Sequence, residues 1–205
     1  MSTPLLLIGA GGHCRSCIEA VESSGQFEIV GIVGRAEELN SQLLGYTVRG
    51  TDEDLEKLVE QYPQVLIAIG QIKSAAPRVR MFSQLEALDA EFPCIIASSA
   101  IVSRYASVQR GTILMHGAIA NSNVQVGQNS IINSRALLEH DVTVGDHCHV
   151  STAAVLNGGV SVGEETFIGS GAVVYQDVRI GKRSIIPAGA IVHRDVADDE
   201  VFRSG

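Results

Sequence analysis

The chain has 205 residues, a formal net charge of -8 and only 4% aromatic residues, with no tryptophan. This length suits one or two domains, and the preponderance of aliphatic side chains predicts cores built without large rings. The negative charge, which no Lys/Arg-rich run offsets, argues against a surface for nucleic acid or anionic lipid.

The first ten residues contain a short apolar run, but neither a basic n-region nor a long apolar h-region. This pattern predicts no signal peptide and no membrane-spanning segment. We therefore expect a cytoplasmic protein without membrane insertion.

Buried strands alternate with helices up to about residue 92, which predicts a small Rossmann-like α/β domain over residues 1–92. Thr51 is placed to cap the second helix. The predicted strands are residues 5–8, 29–33 and 65–69, and the predicted helices are residues 14–23, 52–61 and 75–88.

A glycine-rich turn, formed by Gly9, Gly11, Gly12 and His13, joins the first strand to the first helix. Such a turn brings backbone N–H groups to a position that favours phosphate. The third glycine of a dinucleotide fingerprint is replaced by Cys14, and no acidic residue ends the second strand. A nucleotide sugar is therefore favoured over a redox dinucleotide, although the glycines could instead serve only tight packing.

Cysteines offer one further motif, Cys14-x-x-Cys17, which has the spacing of a redox pair. No second pair completes a zinc site, and Cys148 falls on an inward position of the repeat described next. We expect neither a redox role nor a metal site.

An aliphatic residue occupies every sixth position from Ile96 to Val192, seventeen times without an insertion. The position four residues later is always small or slim. Because six is not a multiple of 3.6, the pattern predicts short strands in a hexapeptide-repeat parallel β-helix over residues 93–205. Three hexads, or eighteen residues, close one triangular coil. The period leaves the handedness open. Glycines that follow the aliphatics are expected at corners needing permissive backbone geometry: Gly127, Gly145, Gly163, Gly169 and Gly181.

The most suggestive polar residue of the repeat is His140, which lies in a turn and should project from a corner. In the eighteen-residue register its neighbours are Ser122 and Gly158, which leave space for the imidazole. Asp141 could orient the ring and stabilise its protonated form, as a general base requires. The alternative is a solvated histidine with a chance neighbour.

These motifs together resemble the bacterial sugar acyltransferases of the sialic acid O-acetyltransferase family, which includes N-acetyltransferases of UDP-4-amino sugars in the bacillosamine pathway. The resemblance rests on the glycine-rich turn, the uninterrupted hexads, Ile131-Ile132-Asn133 and Glu139-His140-Asp141 with His149-Val150-Ser151. It implies a left-handed β-helix, a homotrimer and acetyl-CoA bound between neighbouring prisms. It also implies transfer of an acetyl group to an amino group of a nucleotide-linked sugar for a surface glycan or glycoprotein.

The same resemblance assigns roles to residues. His140 corresponds to the catalytic base and Asp141 to its acidic partner. Asn133 corresponds to a substrate-binding position, as do Gly9, Gly11, Gly12 and His13 of the turn, and the cofactor-binding positions are His149, Gly158 and Ser170. Direct transfer is expected, with His140 taking the acceptor proton while backbone N–H groups stabilise the oxyanion.

Two departures from the family pattern qualify these assignments. Gly34-Arg35 stands where an acidic pair often follows the second strand, so recognition of uridine is not expected to follow the family pattern. A C-terminal Gly-x-Pro-Ala segment has no counterpart, so coenzyme contacts from it are not expected.

Other functions fit parts of the pattern. A sugar O-acetyltransferase differs only in the acceptor atom. A zinc enzyme of the γ-carbonic-anhydrase type is conceivable from His116, His140, His147 and His149, but gives the N-terminal domain no role. A non-catalytic trimer that senses a nucleotide is disfavoured by the outward His140-Asp141 pair.

Overall fold

The computed structural model describes residues 2–203. Met1, Ser204 and Gly205 lie outside the described residues. Met1 begins the predicted N-terminal domain. Ser204 and Gly205 end the predicted β-helix domain, where the sequence departs from the family's Gly-x-Pro-Ala segment.

The N-terminal part is a five-stranded sheet covered by helices. The strands are β1 (Thr3–Ile8), β2 (Phe27–Val33), β3 (Gln42–Leu43), β4 (Tyr46–Gly50) and β5 (Val65–Ile67), and the helices are α1 (Gly12–Ser24), α2 (Leu55–Gln61) and α3 (Ala76–Glu86). The order in the sheet is β3-β4-β2-β1-β5, and every pairing is parallel except that of β3 with β4. The predicted α/β domain is confirmed.

Three details of this domain differ from the prediction. β5 ends at Ile67 rather than two residues later, and the second helix is preceded by a 3-10 turn, Asp52–Asp54, with Thr51 at its N-cap position. Strands β3 and β4 were not predicted, because two-residue β3 is too short to show a period. A turn at Leu44 and Gly45, both with positive φ, joins these strands.

The second part is a parallel β-helix of two-residue strands. The strands are β6 (Ile95–Ile96), β7 (Ile101–Val102), β8 (Ser107–Val108), β9 (Ile113–Leu114), β10 (Ile119–Ala120), β11 (Gln125–Val126), β12 (Ile131–Ile132), β13 (Leu137–Leu138), β14 (Thr143–Val144), β15 (His149–Val150), β16 (Val155–Leu156), β17 (Ser161–Val162), β18 (Phe167–Ile168), β19 (Val173–Val174), β20 (Arg179–Ile180), β21 (Ile185–Ile186) and β22 (Ile191–Val192).

These strands form three sheets, one for each side of a triangular prism. Side 1 contains β6, β9, β12, β15, β18 and β21; side 2 contains β7, β10, β13, β16, β19 and β22; side 3 contains β8, β11, β14, β17 and β20. Each strand pairs with the strand eighteen residues along, as in Ile131 with His149. The left-handed β-helix and its eighteen-residue coil are confirmed.

The second residue of each strand points to the prism axis, and from Leu114 to Val192 these side chains form one buried core. Cys148 and the other small positions pack with them, as the register predicted. The prediction is wrong for Ile96, which is 36% exposed. This strand belongs to the first coil, where no preceding coil covers the end of the prism.

The glycines that follow the aliphatics serve a different purpose from the predicted one. None of the five has a positive φ, whereas a Cβ on Gly145 would lie 2.7 Å from the backbone nitrogen of Glu164 in the next coil. Glycine is needed there because neighbouring coils approach closely. The left-handed backbone falls two residues later, at positions such as Asn129 and His147.

The N-terminal sheet sits on side 1 of the prism, with α1 between them. Ile95, Ile113 and Ile131 point outward from side 1 into the same core as Cys17 and Ile18 of α1. Because this core is continuous across residue 92, the boundary of the two predicted domains stays a prediction. No helix among residues 2–203 is both long and apolar enough to cross a membrane.

Candidate active site

A cavity of about 1130 Å³ lies above the carboxyl ends of β1, β2 and β5. This edge is where parallel α/β sheets bind ligands. The cavity is lined by residues 8–13 with the glycine-rich turn, residues 33–36, 38–39, 51–54 and 68–72, and by Met81 and His149.

The glycines of the turn fall into two groups. Gly9 has a φ of 109°, and a Cβ there would lie 2.8 Å from Cγ1 of Ile69, so this glycine is required by packing. Gly11 and Gly12 have open space where a Cβ would be. Gly11 is the N-cap of α1 and no side chain caps this helix, which leaves its first N–H groups facing the cavity. Packing alone therefore does not account for this turn, and its helix N-terminus suits a phosphate group.

His13 and His149 meet at the inner wall of this cavity, with ring centroids 6.3 Å apart. His149 is buried, and its two nitrogens are both engaged. Nδ1 donates to the Gln71 carbonyl at 2.6 Å, and Nε2 lies 3.0 Å from Nδ2 of Asn133. Burial lowers the pKa of His149 to about 4 and that of His13 to about 3. Both rings are therefore neutral at pH 7.

His140 and Asp141 lie elsewhere, on the corner between sides 2 and 3. Nδ1 of His140 is 2.8 Å from Oδ2 of Asp141, and 61% of the His140 side chain is exposed. The hydrogen bond to Asp141 raises the pKa of His140. An ionised carboxylate at this distance holds the proton on Nδ1, which leaves Nε2 as the basic atom.

Two residues of adjacent coils fix this pair. Asn123 donates to Oδ1 of Asp141 at 2.7 Å, and this bond, ahead of the one from His140, lowers the pKa of Asp141. On the other side, a Cβ on Gly158 would lie 2.7 Å from Nε2 of His140. The missing side chain at Gly158 thus makes the room that the eighteen-residue register predicted for the ring.

The predicted site residues thus fall into two groups, with Ser170 apart from both. The glycine-rich turn, His13, Asn133 and His149 surround the inner wall of the cavity over side 1. His140, Asp141 and Gly158 lie on the corner opposite side 1. Ser170, whose hydroxyl is 2.9 Å from that of Ser151, lies on the corner between sides 1 and 2, apart from both groups. In one copy of the chain the prism separates the cavity from His140.

The outward residues of side 2 give the chain an uncovered apolar face. All six are aliphatic and point away from the core, and the two end residues are more than half exposed. The outward residues of side 3 are polar instead, which is the ordinary composition of a solvated sheet face. We call the first set the side-2 ladder: Ile101, Ile119, Leu137, Val155, Val173 and Ile191.

Three of the four cysteines are buried in the cores of the molecule. Cys14 and Cys17 are buried in the core, and burial raises the pKa of the Cys14 thiol to about 12. Burial likewise raises the pKa of Cys148 to about 12. Within residues 2–203 no group of three His, Cys, Asp or Glu side chains is arranged to hold a metal ion.

Three residues of this arrangement were not predicted: Asn123, Gln71 and Arg78. Asn123 had a readable signal, since it precedes Asp141 by one coil of eighteen residues. The contacts of Gln71 with His149 and of Arg78 with Asn129 span 78 and 51 residues. No period connects such distant positions, so the sequence offers no signal for them.

Two family models match the chain. The PglD N-terminal domain matches residues 4–85, and the bacterial transferase hexapeptide model, of six repeats, matches residues 159–194. The comparison with curated proteins gave no match.

Solved structures match nearly the whole length. A variant of perosamine N-acetyltransferase from Caulobacter crescentus, in complex with CoA and GDP-perosamine, is 33% identical, with 96% of this chain and 91% of that chain covered and a TM-score of 0.89. The acetyltransferase domain of PglB from Neisseria gonorrhoeae, in complex with acetyl coenzyme A, is 27% identical, with coverage of 97% and 94% and a TM-score of 0.88. WeeI from Acinetobacter baumannii, at 22% identity, covers 96% of this chain and 94% of its own with a TM-score of 0.83, and is similar in fold.

Proposed function

Because this chain belongs to the acyltransferase family that joins a PglD N-terminal domain to a hexapeptide-repeat β-helix, we propose that it acetylates an amino group of a nucleotide-linked amino sugar. Acetyl-CoA is the proposed donor, in line with the CoA and acetyl-CoA complexes of two relatives. The observation that carries the proposal is the pairing of an anion-accepting glycine turn with an outward His140-Asp141 pair in one chain.

His140 is the proposed general base. With its proton on Nδ1 held by Asp141, Nε2 accepts a proton from the acceptor amine as the amine nitrogen attacks the thioester carbonyl. The tetrahedral intermediate then collapses, and as the C–S bond breaks the protonated His140 returns its Nε2 proton to the sulfur, so that CoA leaves as the thiol. No covalent enzyme intermediate is needed, since the thiol of Cys148 is buried in the prism core.

A homotrimer is proposed as the working form, because one chain cannot bring its own cavity to its own His140. The side-2 ladder supports this assembly. Six stacked aliphatic side chains on a flat sheet face are best covered by a second copy of the same surface or of a neighbouring corner. His140 lies on a corner that borders side 2, so it would stand at the edge of the interface, within reach of a neighbouring copy.

The zinc alternative is disfavoured by the state of His149. Its nitrogens are bonded to Gln71 and Asn133, so neither is free for a metal without breaking a buried hydrogen bond. Sugar O-acetylation differs from the proposed reaction only in the acceptor atom. One assay distinguishes the two reactions and also identifies the nucleotide of the substrate.

The assay is CoA release from acetyl-CoA with GDP- and UDP-linked 4-amino sugars, and with CMP-sialic acid or free sialic acid as hydroxyl acceptors. We expect turnover with an amino sugar, with GDP as the first candidate nucleotide because Gly34-Arg35 lacks the acidic pair and the perosamine relative was crystallised with GDP-perosamine. Turnover with hydroxyl acceptors only, or with none of the panel, would contradict the proposal.

The pH dependence of kcat tests the pairing of His140 with Asp141. The neutral ring is the base, so kcat should rise as the pH passes upward through the His140 pKa. Asp141 raises that pKa by stabilising the protonated ring. The variant Asp141→Asn keeps a residue that tolerates the positive φ here but removes the charge. We expect the acid limb of its kcat profile to move to lower pH, with a lower plateau. A limb that stays in place would contradict the assigned pairing.

A further inference from the structure

One arginine is buried without an acidic partner. Arg78, near the start of α3, is completely buried. Nη1 donates to the carbonyls of Ile67 and Ile69 at 2.9 and 2.6 Å, and Nη2 donates to the carbonyl and the Oδ1 of Asn129 at 2.9 and 2.6 Å. Nε has no partner. No carboxylate of residues 2–203 lies at ion-pair distance from it.

A buried charge of this kind is expensive unless an opposite charge compensates it. The four neutral oxygens replace hydrogen bonds to water but leave the unit of positive charge in place. Burial lowers the pKa of Arg78 only to about 10, so the group is a cation at pH 7. Besides an acceptor for Nε, the unfulfilled requirement is therefore for a negative charge.

The charge of Arg78 lies directly behind the cavity wall. Ile69, whose carbonyl accepts from the guanidinium, lines the cavity, and so does Met81 from the next turn of α3. The guanidinium also contributes, after burial itself, to lowering the pKa of His13 on the same wall. Its field therefore reaches the groups that a ligand in the cavity would touch.

The cavity wall itself cannot supply that field. Its charged side chains are one arginine, Arg35, against four carboxylates, Glu38, Asp52, Glu53 and Asp54. A diphosphate placed at the glycine-rich turn would meet a predominantly negative rim. Arg35 is paired with Glu37 and Glu38, so the other positive contributions near the turn are the N-terminus of α1 and the charge of Arg78.

We propose that Arg78 determines the affinity of this cavity for the diphosphate of its nucleotide ligand, acting through its buried charge rather than through contact. This inference rests on the proposed function, which places a nucleotide sugar in the cavity. The same guanidinium joins the end of β5 to Asn129 of the β-helix, so its charge and its clamping role have to be separated by experiment.

Two substitutions separate them. Arg78→Lys keeps the charge and loses most of the donors, whereas Arg78→Gln keeps an amide donor and loses the charge. A third variant, Asn129→Gly, removes the Oδ1 acceptor from the clamp, leaves the charge, and suits the positive φ of this position. The measurement is calorimetric binding of GDP and of guanosine, or of UDP and uridine if the acceptor panel selects uridine, with thermal melting as the check of folding.

We expect Arg78→Gln to weaken GDP binding by roughly tenfold or more beyond any change for guanosine, because the lost interaction scales with ligand charge. Arg78→Lys and Asn129→Gly should keep the GDP-to-guanosine ratio of the unmodified chain, whatever they do to the melting temperature. If Arg78→Gln does not fold, a collapse of that ratio in Arg78→Lys or Asn129→Gly overturns the inference.

Equal weakening of GDP binding and guanosine binding in Arg78→Gln would also overturn the inference. That result would mean that Arg78 acts only by holding β5 and Asn129 together. Failure of the unmodified chain to bind either diphosphate would instead contradict the proposed function.

Discussion

Replacing His140 with alanine should lower kcat by roughly 100-fold or more, the usual contribution of a positioned general base. The fold should not change, because the ring is mostly exposed and its one side-chain hydrogen bond is to Asp141 on the surface. KM for the nucleotide sugar should change little, since the cavity lies across the prism.

The matched control is His193→Ala, which removes another exposed histidine from the same corner of the prism. Steady-state kinetics of both variants, with the oligomeric state checked by light scattering, give the comparison. Near-normal turnover of His140→Ala would remove His140 from the mechanism. A similar loss in His193→Ala would point to a general effect on the corner.

The second large effect should come from a residue that touches no catalytic group. Val155 lies in the middle of the side-2 ladder, paired in register with Leu137 and Val173. Val155→Arg should place a charge in the proposed interface, where an unpaired buried charge is strongly unfavourable. We expect a monomer, with activity reduced by roughly 100-fold or more because general-base catalysis from the neighbouring copy is lost.

Gln125→Arg is the control for this change, since Gln125 is the outward residue of a strand on polar side 3. It introduces the same charge on the same prism and should leave both assembly and activity intact. Sedimentation velocity and CoA release, measured at one protein concentration, decide between the faces. A Val155→Arg chain that stays assembled and active would show that side 2 is not the interface.

The sequence was most informative about the prism, because a period of six constrains every side chain of the repeat. Counting in eighteens put Gly158 beside His140 and Cys148 inside, and the structure has both there. It failed for Ile96, since a period describes an average coil and not the open end of a stack. It also misread Gly145, because a period does not distinguish a special φ from a close approach of neighbouring coils.

The cavity was only partly predictable. The glycine-rich turn indicated where the cavity lies. A glycine pattern does not distinguish a glycine required by packing, such as Gly9, from one with open space around it, such as Gly11. The inner wall depends on His149 from the β-helix and Gln71 from a loop after β5. Such contacts arise from how the sheet sits on side 1, which local patterns do not encode.

The sequence also did not predict that the site residues of one chain lie in two separate places. Resemblance to the family gathered His140, His149 and Asn133 around one reaction. In the single chain His149 and Asn133 are bonded to each other beneath the cavity, whereas His140 lies on the opposite corner. The order of the three sides, and not the spacing of the histidines, separates them.

The central claim is that each active site takes its cavity from one chain and His140 from another. Gly11→Asp inactivates the cavity without strain, since an aspartate at this N-cap would cap α1 itself and place a negative charge where the phosphate should bind. The other inactive chain is His140→Ala. Each alone should form a trimer with little or no activity.

Co-expression of these two chains with different tags, followed by purification through both tags, isolates mixed trimers. In every mixed trimer one of the three sites combines an intact cavity with an intact His140 of the neighbouring chain. We therefore expect about one-third of the activity of the unmodified trimer. Mixed trimers as inactive as their two parents would contradict the shared site, because a site contained within one chain cannot be restored by mixing.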